Sequence, residues 1–373
     1  MSLSNKDIIN VLEQVKHPDS AESIVRMGMV DDIKVEGKKV FFTLAFKKST
    51  DPFVESIRKA CVQAIEKNLG EDVQIRGNIS VRVPEAKKKA EQPQQESEAL
   101  KNVKNIIAVA SGKGGVGKST VATNLAVALA KTGAKVGLID ADIFGPSIPK
   151  MFNVEGQRPM VRKEGDVDLI TPVENYGVKM LSIGFFVKPE DALVWRGPMA
   201  TNALKQIINQ GEWGELDYLL FDLPPGTSDI HLTLVQELSV TGAIIVSTPQ
   251  PVATADALKG LRMFASKGIE VPVLGLVENM AWFTPEELPD NKYYIFGKGG
   301  CKALAERENV DLLGQIPLVQ GIREGGDEGH PAAADDNSIT GKAFVDLADK
   351  VIKAVDKRNR EQDPTKRVEI KTK

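Results

Sequence analysis

Cysteine is scarce in this chain. Only Cys61 and Cys301 occur among 373 residues, so there is no disulfide scaffold to read, and free thiols in a reducing cytoplasm are the expectation. Histidine is nearly as rare: His17, His231 and His330 show no metal-ligand spacing and are expected to be structural. No sign of charge dominates, for 48 basic against 51 acidic residues give a net charge of -3 and no overall nucleic-acid footprint. No apolar run approaches the ~18 residues of a membrane span, and residues 1–7 lack the apolar core of a signal peptide. From Asp356 to Lys373 the chain is highly charged, with Val368 and Ile370 its only large apolar residues, which disfavours an amphipathic membrane anchor. What is present is ordinary globular composition, 42% hydrophobic and 27% charged, with length enough for two domains.

Residues 1–83 read as a small α+β domain. Ile8, Ile9, Leu12 and Val15 recur at helical spacing; strand-like runs follow at Met29–Val35 and Val40–Phe46, turned by Glu36-Gly37-Lys38. Asp51-Pro52 opens a second helix whose stripe of Val54, Ile57, Cys61, Ile65 and Leu69 puts Cys61 on the buried face, and a strand over Val73–Val83 completes the unit. Residues 84–102, rich in Lys, Glu and Gln, cannot bury enough surface to offset chain entropy and read as a flexible charged linker. From 103 to 358, apolar runs alternate with amphipathic patterns, which predicts an α/β fold with a doubly wound, mostly parallel sheet. Strands are expected at Ile106–Ala110, Lys135–Ile139, Val178–Ile183, Tyr218–Phe221, Ala243–Ser247, Val273–Val277 and Asp311–Ile316. Residues 359–373 are expected to be a charged, disordered tail.

One stretch organises the larger part. Ser111-Gly112-Lys113-Gly114-Gly115-Val116-Gly117-Lys118-Ser119-Thr120 follows an apolar run and leads into a helical pattern, the context of a phosphate-binding loop. Its glycines let backbone N–H groups turn toward an anion, and the following helix adds the positive end of its dipole. Lys118 would reach the outer phosphates and Ser119 would offer a hydroxyl to Mg²⁺. A second strand ends in Asp140-Ala141-Asp142, and Tyr218 to Asp222 is an apolar strand ending in an acid that would meet Mg²⁺ through water. Leu223-Pro224-Pro225-Gly226-Thr227-Ser228-Asp229 then forms a rigid turn.

The lysine at position 113 makes this loop resemble the signature-lysine loops of the MinD/ParA/nitrogenase-iron-protein superclass. That resemblance implies that Lys113 crosses a dimer interface to the partner's nucleotide, that Asp142 positions the attacking water, and that the N–H of Gly226 senses the γ-phosphate. It also implies that Asn279, in Val277-Glu278-Asn279-Met280, contacts adenine and that Pro317 flanks the base. Asp140 is expected to be a carboxylate in the outer shell of Mg²⁺ or a structural one. Gly145-Pro146-Ser147, the Pro-Pro-Gly-Thr turn, and the passage from Ile322 to Pro331 resemble the Mrp/ApbC branch of iron–sulfur cluster carriers more narrowly. Asp19 to Val30 is similar to the small iron–sulfur-cluster-assembly domain, although Asp51 stands where members of that family often carry cysteine.

The resemblance breaks at one place. Such carriers follow Glu-Asn-Met with aromatic residues and Cys-x-x-Cys, then Ile-Phe-Gly-x-Gly-Gly; here Trp282-Phe283 leads to Thr284-Pro285-Glu286-Glu287-Leu288-Pro289-Asp290 before Ile295-Phe296-Gly297 resumes the pattern. Cys301, just beyond, offers at most two thiolates per dimer as iron–sulfur ligands, where a [4Fe–4S] cluster takes four; a structural role at a helix start is the alternative. The resemblance therefore implies an ATP-hydrolysing, Mg²⁺-dependent, cytoplasmic homodimer that assembles or transfers iron–sulfur clusters to apoproteins or assembly factors, with cluster binding by the chain itself left open. Neither membrane nor nucleic acid is an expected partner. A ParA/MinD-like switch that positions cargo by ATP-driven dimerisation is the competing reading.

Overall fold

The computed structural model describes residues 3–20, 22–46, 53–70, 72–75, 77–82, 98–142, 145–165, 167–186, 197–285, 287–288 and 290–367. Asp51-Pro52, Lys87 to Lys89, Ile143-Phe144, Glu286, Pro289, Val368 and Ile370 lie outside them. The chain divides into two compact units, residues 1–94 and 95–373.

In the first unit α1 (Asn5–Leu12) begins at Ser4, whose hydroxyl accepts from the Asp7 N–H while the Asp7 carboxylate accepts from the Ser4 N–H. That reciprocal cap satisfies two donors the helix would otherwise leave open. β1 (Val30–Glu36) and β2 (Lys39–Ala45) are antiparallel, α2 (Val54–Leu69) packs against α1, and β3 (Ile79–Arg82) runs parallel to β2. Ile8, Leu12, Leu44, Ile57, Cys61 and Ile65 are among the residues of a core confined to this unit. The last strand starts at Ile79 and not at Val73, because a turn in which the Asn78 N–H donates to the Ile75 carbonyl precedes it; Val83, the expected end, lies outside the described residues.

The second unit is built on an eight-stranded sheet of order β13-β12-β11-β4-β10-β5-β9-β8, parallel throughout except for the β8–β9 edge. Its strands are β4 (Val103–Ser111), β5 (Val136–Asp140), β8 (Val173–Asn175), β9 (Val178–Ser182), β10 (Leu216–Asp222), β11 (Gly242–Ser247), β12 (Val273–Glu278) and β13 (Leu312–Gln315). All seven expected strands are present, within a few residues of the expected ends. β4, β5, β10 and β11 are apolar along most of their length because helices cover both faces of the sheet. On one face lie α3 (Lys118–Lys131) and α10 (Ile339–Glu361), with Leu125, Leu129, Phe344 and Val351 in a single core. On the other lie α5 (Gly197–Gln210), α6 (Asp229–Glu237), α7 (Pro251–Phe264) and α8 (Gly300–Glu308), around Ile207, Trp213, Leu234 and Phe264.

Besides the edge strand β8 and the helix α8, other features were not foreseen. A hairpin of β6 (Met160–Glu164) and β7 (Val167–Thr171) stands off the main sheet, and its first strand is wholly exposed, so no alternation marks it. α4 (Ile148–Met151) and α9 (Gln320–Glu328) are short helices that touch each other. The supposed tail is helical as far as Glu361, and Arg358 donates to the Asp363 carbonyl and the Thr365 hydroxyl, tying down the residues that follow. A cation in the last turn of a helix meets the negative end of its dipole, which is why the helix outlasts its apolar stripe.

Candidate functional site

β4 delivers Ser111 to the carboxyl edge of the sheet, and α3 starts at Lys118; residues 112–117 form the loop between them. Two of its glycines are required by close approach. A Cβ on Gly112 would lie 2.1 Å from the carbonyl carbon of Asp256 in α7, and one on Gly117, whose φ is +80°, would lie 2.2 Å from Asn279 Nδ2. Gly114 and Gly115 are exposed at the crest, Val116 is buried, and the Ser111 hydroxyl donates to the Lys113 carbonyl at 3.0 Å. Lys113 is half-buried, and among the described residues no carboxylate pairs with its ammonium.

Ser182, Asp140 and Asp222 end β9, β5 and β10 in one register, a row of three side chains across adjacent strand ends. Lys118 Nζ donates to Asp222 Oδ1 at 2.6 Å, Ser119 Oγ donates to Asp222 Oδ2 at 2.6 Å, and Asp142 Oδ2 lies 3.9 Å from the same ammonium. The four residues assigned to phosphate, Mg²⁺ and water thus meet beside the loop. Burial raises the pKa of Asp222, opposed by Lys118 and then by the Ser119 hydroxyl. Burial also raises Asp140, and the neighbouring charge of Asp222 adds to it. Asp140 accepts from the Asp142 N–H at 3.2 Å, the Ile148 N–H at 3.3 Å and the Ser182 hydroxyl at 2.9 Å, and so lies among backbone donors that flank residues 143–144.

Beside the loop is a cavity of about 340 Å³ lined by Gly117, Thr120, Asn279, Met280, Pro317 and Ile322, among others. Asn279 and Pro317, far apart in sequence, therefore share one wall. The Asn279 amide nitrogen already donates to the Val116 carbonyl at 2.8 Å, so this side chain holds the loop as well as facing the cavity. Met280 sits at φ +54°, a conformation that turns the chain sharply out of β12.

Two expectations need revision. The Gly226 N–H, expected to point at a γ-phosphate, instead donates to the Ser111 carbonyl at 2.9 Å, stitching the Pro-Pro-Gly turn to the end of β4. Cys301 does not fit an iron–sulfur ligand. It is 0% exposed at the start of α8, its N–H donates to the fully buried Glu278 carboxylate at 2.7 Å, and its thiol faces the Thr248 carbonyl. Burial, with the Glu278 charge adding, pushes that thiol up to about 12, whereas a ligand must be a thiolate. Cys61, the other cysteine, is also 0% exposed and is pushed by burial up to about 12. Magnesium fares better, since a serine hydroxyl and a carboxylate side by side are the hard oxygen donors it takes together with substrate phosphates.

Sequence reasoning missed Ser182, whose only signal was its place at a strand end. His231, expected to be structural, is buried in the first turn of α6 with Nδ1 accepting from the Ser228 N–H at 3.2 Å. Burial first, and the Lys118 charge after it, push His231 down to about 4.

A glycine-rich loop between strand and helix, a strand-end aspartate joined to its lysine and serine, and a cavity alongside define a P-loop NTPase. The family model of the NUBPL iron-transfer P-loop NTPase matches residues 102–352, and the chain belongs to that family. A model of the iron–sulfur cluster assembly protein matches residues 5–76. The iron–sulfur cluster carrier protein of Synechocystis sp. is 43% identical over 94% of this chain and 97% of its own length. The carrier protein of Haemophilus influenzae is 41% identical over 91% and 89%. Among solved structures, an ADP-bound nucleotide-binding protein from Archaeoglobus fulgidus aligns at 37% identity and a TM-score of 0.56, over 65% of this chain and 93% of that one. MinD of Pyrococcus horikoshii with Mg-ADP aligns at 26% identity and a TM-score of 0.51, over 69% and 99%. Among the described residues no helix is long and apolar enough to cross a membrane.

Proposed function

We propose that this chain is an ATP-hydrolysing homodimer that drives iron–sulfur cluster assembly or transfer to apoproteins. The observation that carries the ATPase reading is the meeting beside the loop of Asp222 with Lys118 and Ser119, each at 2.6 Å, and of Asp142 with the same lysine at 3.9 Å. Lys118 and the loop N–H groups hold the phosphates, where a preorganised cation is worth most as charge shifts toward the leaving oxygen. Ser119 and Asp222 hold Mg²⁺, which when bound neutralises charge on the phosphate oxygens. Asp142 orients the attacking water. Asn279 and Pro317 flank the base, and the amide oxygen of Asn279 is free to accept from an exocyclic amine because its nitrogen serves Val116. Lys113, with no carboxylate partner among the described residues, is the group that reaches the partner subunit's nucleotide.

The cluster half rests on the carrier function for which the relatives are named, and treats the cluster as cargo. No step is assigned to thiols of this chain, since both are buried and protonated. ATP turnover and nucleotide binding test the reading. Lys118→Ala should lose nucleotide binding, whereas Asp142→Ala should bind normally and turn over about 100-fold more slowly. Mixed with Lys113→Ala, the Asp142→Ala subunits should restore part of the activity. Wild-type turnover by Asp142→Ala would sink the water-positioning role.

A further inference from the structure

We infer that Ser182 is a positioning residue for hydrolysis, acting through Asp140 on the segment that carries Asp142; this rests on the role proposed for Asp142. Ser182 ends β9 opposite Asp140, and both side chains are 0% exposed. Its hydroxyl donates to Asp140 Oδ2 at 2.9 Å and accepts from the Gly184 N–H at 3.0 Å. Asp140 spends its other lone pairs on the N–H groups of Asp142 and Ile148. One buried carboxylate therefore braces both ends of the stretch 142–148, and Ser182 is the only side chain among the described residues that donates to it.

The chemistry of the arrangement explains why a hydroxyl is needed. A carboxyl group rotates about its terminal bond, and the two backbone N–H groups hold it only at long range, Asp142 on Oδ1 at 3.2 Å and Ile148 on Oδ2 at 3.3 Å. The Ser182 hydroxyl, the shortest of the three donors at 2.9 Å, fixes Oδ2 from the neighbouring strand, and with it the carboxyl whose Oδ1 holds the Asp142 N–H. Asp142 in turn stands 3.9 Å from the Lys118 ammonium, at the phosphate end of the loop. The row Ser182–Asp140–Asp142 thus ties a core strand to the residue that orients water. Ser182 itself does not line the cavity beside the loop, so its loss should spare nucleotide binding. Tight positioning matters steeply, since a shift of about 1 Å at a reacting group costs on the order of 100-fold in rate.

The test is steady-state ATP hydrolysis with purified full-length protein. Ser182→Ala should lower kcat about tenfold and leave KM for ATP within twofold, with its melting temperature showing that it folds. Ser182→Thr, which keeps the donor, should recover most of the rate. The discriminating arm is the double variant: in an Asp142→Ala background, adding Ser182→Ala should change the residual rate by less than twofold, because the residue it positions is gone. A Ser182→Ala enzyme with wild-type kcat overturns the inference. So does a further tenfold loss in the Asp142→Ala background, or a defect confined to KM. If Asp142→Ala itself hydrolyses ATP normally, it is the role of Asp142 that falls, and the two failures are told apart.

Discussion

At the scale of single residues, the site is a set of buried charges held by hydrogen bonds. His231 is the clearest case with a measurable consequence. Its folded pKa, about 4, lies below its ordinary value of 6.5, so the unfolded chain takes up the proton first. The stability this group contributes is present above pH 6.5 and is lost as pH falls toward 4. Between pH 7 and pH 5 the loss should be about 2 kcal/mol. Urea unfolding of wild type and His231→Gln at both pH values checks this: the variant should lack that part of the pH dependence, and equal slopes would remove His231 as its source. Since His231 begins the helix after the Pro-Pro-Gly turn, acidification should loosen that turn first.

At the scale of elements, what matters is how closely backbones approach. α8 starts under the turn between β11 and α7, where a Cβ on Gly300 would lie 2.0 Å from the Pro249 carbonyl oxygen and 2.8 Å from its carbon. Backbone atoms cannot move aside cheaply, so Gly300→Ala should cost about 2 kcal/mol and lower the melting temperature by several degrees. A methyl group on Gly260, inside α7, would meet nothing within 4 Å, and the backbone there has an ordinary helical φ. At that position the same substitution should stabilise by about 0.5–1 kcal/mol, since alanine loses less conformational entropy in a helix. Thermal melts of the pair check the sign as well as the size; matching shifts would show that close packing is not what Gly300 provides.

At the scale of the whole molecule, the question is how a chain with two buried thiols serves a family whose close relatives are named as cluster carriers. Cys61 lies in the core of the first unit and Cys301 at the buried start of α8 in the second, each pushed up to about 12 by burial. At pH 8 the native protein should therefore show no thiol reacting with Ellman's reagent within minutes, and two after denaturation. Anaerobic reconstitution with ferrous iron and sulfide should leave iron well below one cluster per chain, while ATP is hydrolysed by the same sample. A stoichiometric cluster that disappears in Cys301→Ser would show that α8 opens to expose its thiol. The ligands of the cargo would then come from this chain after all.

Read by itself, the sequence determined the order of strands and helices in the second unit, because apolar runs buried on both sides and amphipathic helices have distinct periods. It also determined the phosphate loop and the acids at strand ends, since Gly112, Lys118, Ser119, Asp142 and Asp222 belong to local patterns whose spacing is set by a strand, a turn and a helix. It could not show the β6–β7 hairpin, whose first strand faces solvent throughout and carries no alternation. Nor could it show that the Gly226 N–H belongs to Ser111, that Asn279 secures Val116, or that Ser182 donates to Asp140, because partners separated by 42 to 163 residues meet only once the sheet has set its register. The burial of Cys61 followed from its helical stripe, but the state of the Cys301 thiol was a tertiary decision. A cysteine near a familiar ligand position reads the same in sequence whether it faces solvent or a buried carboxylate, and only the packing of α8 against β12 and α7 put Cys301 beside Thr248 and Glu278, where the charged form is disfavoured.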